Sequence, residues 1–236
     1  MPPAGDLPVA ARSIRTVGNS PTRDAQHIQL SQIQINMYAA MIANKLFTNI
    51  KYNWFIRKRK AKYYDKIFTH LTNKEKMMLY VLAKDKTGAF VEIGSYLGAS
   101  SCFIALAQAD KNPIPKLYCV DTWTNDVMTE GERDTFDIFL ENTKDFKNII
   151  IPLRGRSTMV AEYFQEKIDF LFIDGDHSYK GVKDDIHAWF PKLTVDALVV
   201  FHDIGWAEGV ARAVEEDVEP VAKKRGRLPN LYWAYL

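Results

Sequence analysis

The sequence predicts an α/β fold: a doubly wound, mostly parallel open sheet with an N-terminal helical extension. Five short apolar runs, AFVEIG, KLYCVDTW, IIIPLRG, IDFLFIDGD and ALVVFHDI, recur between Ala89 and Ile204. They lack polar alternation, as strands covered on both faces do. Helical stretches separate them: ASSCFIALAQAD, TEGERDTFDIFLENTKD, STMVAEYFQE and SYKGVKDDIHAWFPKL. Strand–helix alternation with right-handed crossovers gives an open sheet. Each run also stops at a turn or an acid, so polar side chains collect at one end.

The elements follow in order. Residues 1–29 carry prolines, glycines and scattered arginines without an apolar h-region, and are expected to be a disordered tail. Residues 30–86 read as a helical extension or lid. Ile35, Met37, Ala40, Met41, Ile42, Leu46 and Phe47 form a broad apolar helix face there. KYNWFIRKRKAKYY follows, with six basic residues from Lys51 to Lys62 and no acid, and reads as a packed helix with a solvated basic face. In LTNKEKMMLYVLAKD, Thr72 or Asn73 suits the N-cap and Lys84 the end. Residues 87–236 form the sheet domain, and LPNLYWAYL is expected as a last, antiparallel edge strand.

Composition excludes several classes. A net charge of +2 on 236 residues does not call for nucleic acid. No apolar run reaches the roughly 20 residues of a membrane-spanning helix. Cys102 and Cys119 lie in apolar surroundings and read as buried thiols. A soluble, cytoplasmic chain is expected.

Ligands in such sheets bind beyond the carboxyl ends of the strands. Glu92, Gly94, Asp121, Gly155, Asp174, Asp176, His177, His202 and Asp203 should therefore converge. In FVEIGSYLGASS, Tyr96 stands where a dinucleotide fingerprint needs its second glycine, and no Gly-Lys-Ser/Thr follows. Glu92 would repel a phosphate. It suits a ligand with positive charge or hydrogen-bond donors, with Gly94 and Gly98 letting the main chain approach.

E-I-G-S-Y-L-G-A-S resembles motif I of the Rossmann-like class I S-adenosylmethionine-dependent methyltransferases. The resemblance implies a cofactor site of Glu92, Gly94, Ser95, Tyr96, Gly98 and Ser100 around the aminoacyl part. Asp121, beside Thr122, would take the ribose hydroxyls, and Gly155 and Ser157 of LRGRS would meet adenine. I-D-G-D-H-S-Y-K-G-V-K-D-D-I-H-A-W and V-F-H-D-I are similar to the bacterial macrocin-type O-methyltransferases. The likeness spans roughly Gly88 to Gly205, although Thr194-Val195-Asp196-Ala197 replaces the Gly-Gly turn of many relatives.

That family implies a divalent metal, magnesium first and manganese or iron as alternatives, at Asp174, His202 and Asp203. Asp174 and His177 are the expected catalytic residues, and both also border the cofactor. His177 is the candidate base, although its position equally suits capping the next helix. Asp176 is divided between supporting the metal and N-capping. His187 reads as structural, and Asp184 and Asp185 as surface or packing residues. Trp54, Tyr63 and Trp123 are candidates for stacking on an acceptor, or for filling a core. The expected partners are a small hydroxylated acceptor, such as a sugar or natural product, and a second copy of the chain in a dimer. Two other classes stay open: a cephalosporin-hydroxylase-like metal oxygenase on the same fold, and a non-enzymatic module using the basic helix 51–62.

Overall fold

Five strands run parallel because both of their faces are covered. The computed structural model describes residues 48–124, 131 and 133–236. The expected tail and the apolar face from Ile35 to Phe47 lie outside the described residues, as do residues 125–130 and 132. The helices are α1 (48–58), α2 (Asn73–Lys84), α3 (Ala99–Gln108), α4 (Phe136–Thr143), α5 (Ser157–Tyr163), α6 (Tyr179–Trp189) and α7 (Glu208–Asp217). The strands are β1 (Ala89–Ile93), β2 (Leu117–Asp121), β3 (Ile150–Arg154), β4 (Ile168–Ile173), β5 (Leu193–His202), β6 (Lys224–Leu228) and β7 (Leu231–Tyr235). They form one sheet in the order β3-β2-β1-β4-β5-β7-β6.

The period-2 geometry of a strand explains the missing alternation. On β4, Phe170 and Phe172 join one apolar cluster, with Tyr52, Phe55, Leu79 and Phe103 from α1, α2 and α3. Leu171 and Ile173 join the other, with Val160, Ile186 and Val214 from α5, α6 and α7. Every β4 side chain in these two pairs has apolar cover, so none needs to be polar. Residues 48–86 thus contribute to the same core as β1, β2 and α3.

The last strand departs from expectation in one respect. β7 pairs antiparallel with β5, with Val200 opposite Trp233. It is not the edge, because β6 pairs along its far side. KRGRL carries three cations in five residues, the kind of sequence that protects a sheet edge while hiding the strand signal. Gly226 sits under the Trp233 indole, where an added Cβ would lie 2.4 Å from the ring. The missing Gly-Gly turn is replaced within β5 itself: Asp196 takes φ +61°, with Lys223 Nζ on its carboxylate at 2.7 Å.

Candidate active site

The carboxyl ends of β1, β2, β4 and β5 open into a cavity of about 410 Å³. That volume falls in the range of small-molecule and cofactor sites. Gly94, Ser95, Tyr96, Ser100, Asp121, Thr122, Gly155, Ser157, Asp174, His177, His202 and Asp203 all line it. Residue types read from separate stretches of sequence are therefore brought together as expected.

The β1–α3 loop is built by close approach. Gly94 has φ +85°, and a Cβ there would lie 2.0 Å from the carbonyl oxygen of Asp174. Gly98, at φ +88°, starts α3 without a side-chain cap. Between them Tyr96 takes φ +44°, a conformation that favours glycine. Its peptide is clamped: Tyr96 N donates to Asp121 Oδ2 at 2.8 Å, and Trp123 Nε1 donates to Tyr96 O at 2.9 Å. The other Asp121 oxygen accepts from Trp123 N at 2.6 Å. Asp121 therefore organises two loops while facing the cavity.

Glu92 and Gly98 are absent from the cavity lining. Glu92 lies on the same face of β1 as Phe90, fully buried behind the loop. It accepts from the Ser101 hydroxyl and, at 3.4 Å, from Cys119 Sγ. Burial pushes its carboxyl above the ordinary range. Its Oε1 and the buried Ser95 Oγ have no partner among the described residues. The Ser95 hydroxyl, in the cavity wall, can meet a ligand with amine or hydroxyl groups.

At the other end of the cavity, Asp174, His177 and Asp203 place one ligand atom each within 4.8 Å of one another. His177 Nε2 lies 2.8 Å from Asp203 Oδ2, and this bond raises the His177 pKa. Burial holds the Asp174 carboxyl above its ordinary value, against the pull of His202. Asp203 is opposite in sign: burial resists its charge, but His177, His202 and Asn230 keep it far below the usual range. It stands at φ +60°, a backbone position that aspartate tolerates. Two carboxylates and an imidazole are a donor set suited to a divalent transition metal, and the carboxylates alone suit magnesium.

The third side chain grouped with Asp174 and Asp203 is His177. His202 does not join the trio; it lies behind the carboxylates, its side chain 1% exposed, with Nδ1 3.1 Å from both Asp174 Oδ1 and Asp203 Oδ1. β5 ends at His202 and Asp203 turns at φ +60°, so the two side chains leave the strand end differently. Asp176 is not the N-cap of α6. It accepts from Ser178 N at 2.8 Å, and Ser178 caps the helix by accepting from Gly181 N. Trp123 is core, fully buried against Phe136 and Phe139. Trp54 and Tyr63 are exposed and do not line the cavity.

Several cavity residues escaped the sequence reading. Phe68, Thr69 and His70 come from the turn before α2, and Arg156 from the start of α5. Trp206, in the loop after β5, donates from Nε1 to Asp203 at 2.7 Å and stands edge-on to His177 with ring centroids 5.2 Å apart. Asp185 is not a surface residue: it is 5% exposed and borders the cavity.

Burial pushes Asp185 up to about 6; Ser157 opposes the shift, while Asp176 and Asp184 add to it. The folded state then holds a proton that the unfolded chain releases near 3.8, so stability falls as pH rises from there to about 6. Asp185→Asn is expected to match the wild type near pH 4 and to be more stable above pH 6, by on the order of 2 kcal/mol. Urea unfolding across that range checks it.

The sheet and its flanking helices have the fold of solved O-methyltransferases. The chain is similar to the TDP-rhamnose 3'-O-methyltransferase CalS11 of calicheamicin biosynthesis (TM-score 0.52, 20% identity, 68% of this chain and 76% of that chain). It is similar to the O-methyltransferase NovP (0.55, 17%, 71% and 81%). It is also similar to TomG of Streptomyces achromogenes, solved with S-adenosylmethionine (0.55, 15%, 70% and 81%). Residues 91–204 match the family model for a methyltransferase domain. An uncharacterized protein, y4gI of Sinorhizobium fredii, is 29% identical over 116 residues, which are 48% of this chain and 13% of that protein. The chain spans well under two thirds of that relative's length.

Proposed function

We propose that this protein methylates a hydroxyl of a small molecule, with a divalent cation held by Asp174, His177 and Asp203. The observation that carries the reading is the convergence of those three side chains beside the Asp121-braced loop in one cavity. S-adenosylmethionine would supply a sulfonium methyl: the acceptor hydroxyl gives up its proton to solvent, its oxygen forms the new C–O bond, and the S–C electron pair returns to sulfur. The cation supplies charge that lowers the acceptor hydroxyl's pKa. Asp121 takes the ribose hydroxyls and Ser95 the polar aminoacyl end. Trp206, 67% exposed with its N–H held by Asp203, offers a flat apolar face to the acceptor ring beside His177.

One observation favours a second reading. His177 is bonded to Asp203 as a catalytic base is to its orienting carboxylate, and its side chain is 37% exposed. In that reading it takes the hydroxyl proton directly, without a cation.

The test is transfer of a labelled methyl from S-adenosylmethionine to a panel of hydroxylated sugars and phenols, with and without chelator. Transfer that stops with EDTA and returns with Mg2+ or Mn2+ is expected. Transfer that survives EDTA but is lost in His177→Gln assigns the base instead. An oxygenase would leave the label on the cofactor, and that result would overturn methyl transfer.

A further inference from the structure

His202 fills the space beneath the two carboxylates of the proposed cation site. Its Nδ1 is equidistant, at 3.1 Å, from Asp174 Oδ1 and Asp203 Oδ1, so one ring fixes both oxygens. The ring's other nitrogen faces away from the cavity. There Nε2 lies 3.6 Å from Glu75 Oε2, a carboxylate with 3% of its side chain exposed. Glu75 is in the first turn of α2, far from the strand ends in sequence.

Glu75 is held independently of His202. Its Oε2 accepts from Thr72 N at 2.7 Å, while its own N–H reaches Thr72 Oγ1 at 3.4 Å, closing a capping box. The start of α2 therefore fixes this carboxylate. A buried imidazole between two carboxylates can rotate or withdraw unless its far side is also engaged, and a buried ionic group needs compensating partners on every side. Glu75 supplies the charge on the far side, where Asn230 Nδ2 also lies 3.4 Å from Nε2.

We propose that Glu75 is a positioning residue of the active centre: through His202 it sets the orientation in which Asp174 and Asp203 face a divalent cation. This rests on the cation reading above. It makes the segment before the sheet domain part of the reaction site, although Glu75 touches neither cofactor nor acceptor. Groups that orient metal ligands from behind typically alter metal affinity by about 10- to 100-fold.

Two variants separate this role from helix stability. Glu75→Gln keeps a residue that can close the capping box but removes the charge facing His202. Thr72→Ala breaks the box and keeps the charge. Mn2+ binding is read by electron paramagnetic resonance on the full chain, with thermal unfolding alongside. Glu75→Gln is expected to weaken Mn2+ at least tenfold with a melting temperature near that of the wild type. Thr72→Ala is expected to melt earlier while its Mn2+ affinity stays within about twofold. Wild-type affinity in Glu75→Gln overturns the positioning role alone. Affinity that falls in step with melting temperature in both variants also overturns it, in favour of a purely structural Glu75. A wild type that binds no Mn2+ overturns both this role and the cation reading.

Discussion

Asp121→Ala is expected to weaken binding of S-adenosylhomocysteine by about 100-fold, read by calorimetry. A factor of 100 corresponds to about 2.8 kcal/mol. The side chain gives up two main-chain hydrogen bonds to a carboxylate, at 2.8 Å and 2.6 Å. Bonds to charged groups contribute about 1.5–3 kcal/mol each. Both donors belong to residues at positive φ, Tyr96 at +44° and Trp123 at +52°. Such backbone persists only where its surroundings enforce it. Removing the carboxylate thus lets two cavity loops relax, in addition to deleting the proposed acceptor for the ribose hydroxyls. Asp121→Asn keeps one oxygen acceptor and is expected to fall between the two. Affinity within threefold of the wild type in Asp121→Ala would refute the ribose assignment.

Asp121 was legible in the sequence because it ends a strand with no polar alternation. The same is true of Asp174 and Asp203. Strands covered on both faces keep most side chains apolar, so an acid ending such a run stands out, although Glu92, Asp169 and Asp196 lie within β1, β4 and β5. Tyr96 was legible as an anomaly, a bulky residue in a glycine's place, but the braces that hold it at positive φ were not. They come from Asp121 and Trp123, and only the fold shows that Trp123 points inward. His202 lies outside the Asp174–His177–Asp203 group for a related reason. A motif gives position along the strand, whereas ligation depends on which side of the strand end a ring turns to. Phe68, Trp206 and Asn230 reach the cavity or its carboxylates, and Glu75 reaches His202, from helix starts and turns. No periodicity marks them, and the Thr72–Glu75 capping box was the only local signal. β6 was hidden by the same cations that protect it as an edge.

Asp203→Asn is expected to reduce methyl transfer by about 1,000-fold, within the range that acid–base and metal assistance supply. Four side chains converge on this carboxylate. His177 approaches Oδ2 at 2.8 Å, while His202 at 3.1 Å, Trp206 at 2.7 Å and Asn230 at 2.8 Å share Oδ1. An asparagine fits the same volume and accepts the left-handed backbone, so strain at φ +60° does not account for the loss. It carries no charge, however, and its amide group turns donors toward donors. His202 then keeps Asp174 as its only carboxylate on the cavity side. Breaking one member of a buried ionic cluster costs about 3–5 kcal/mol, so a lower melting temperature should accompany the loss of activity. The two readouts need not move together. If Asp203→Asn melts early but retains more than a tenth of the wild-type rate at a temperature where it is folded, Asp203 is structural. The reaction would then have to run on Asp174 and His177 alone.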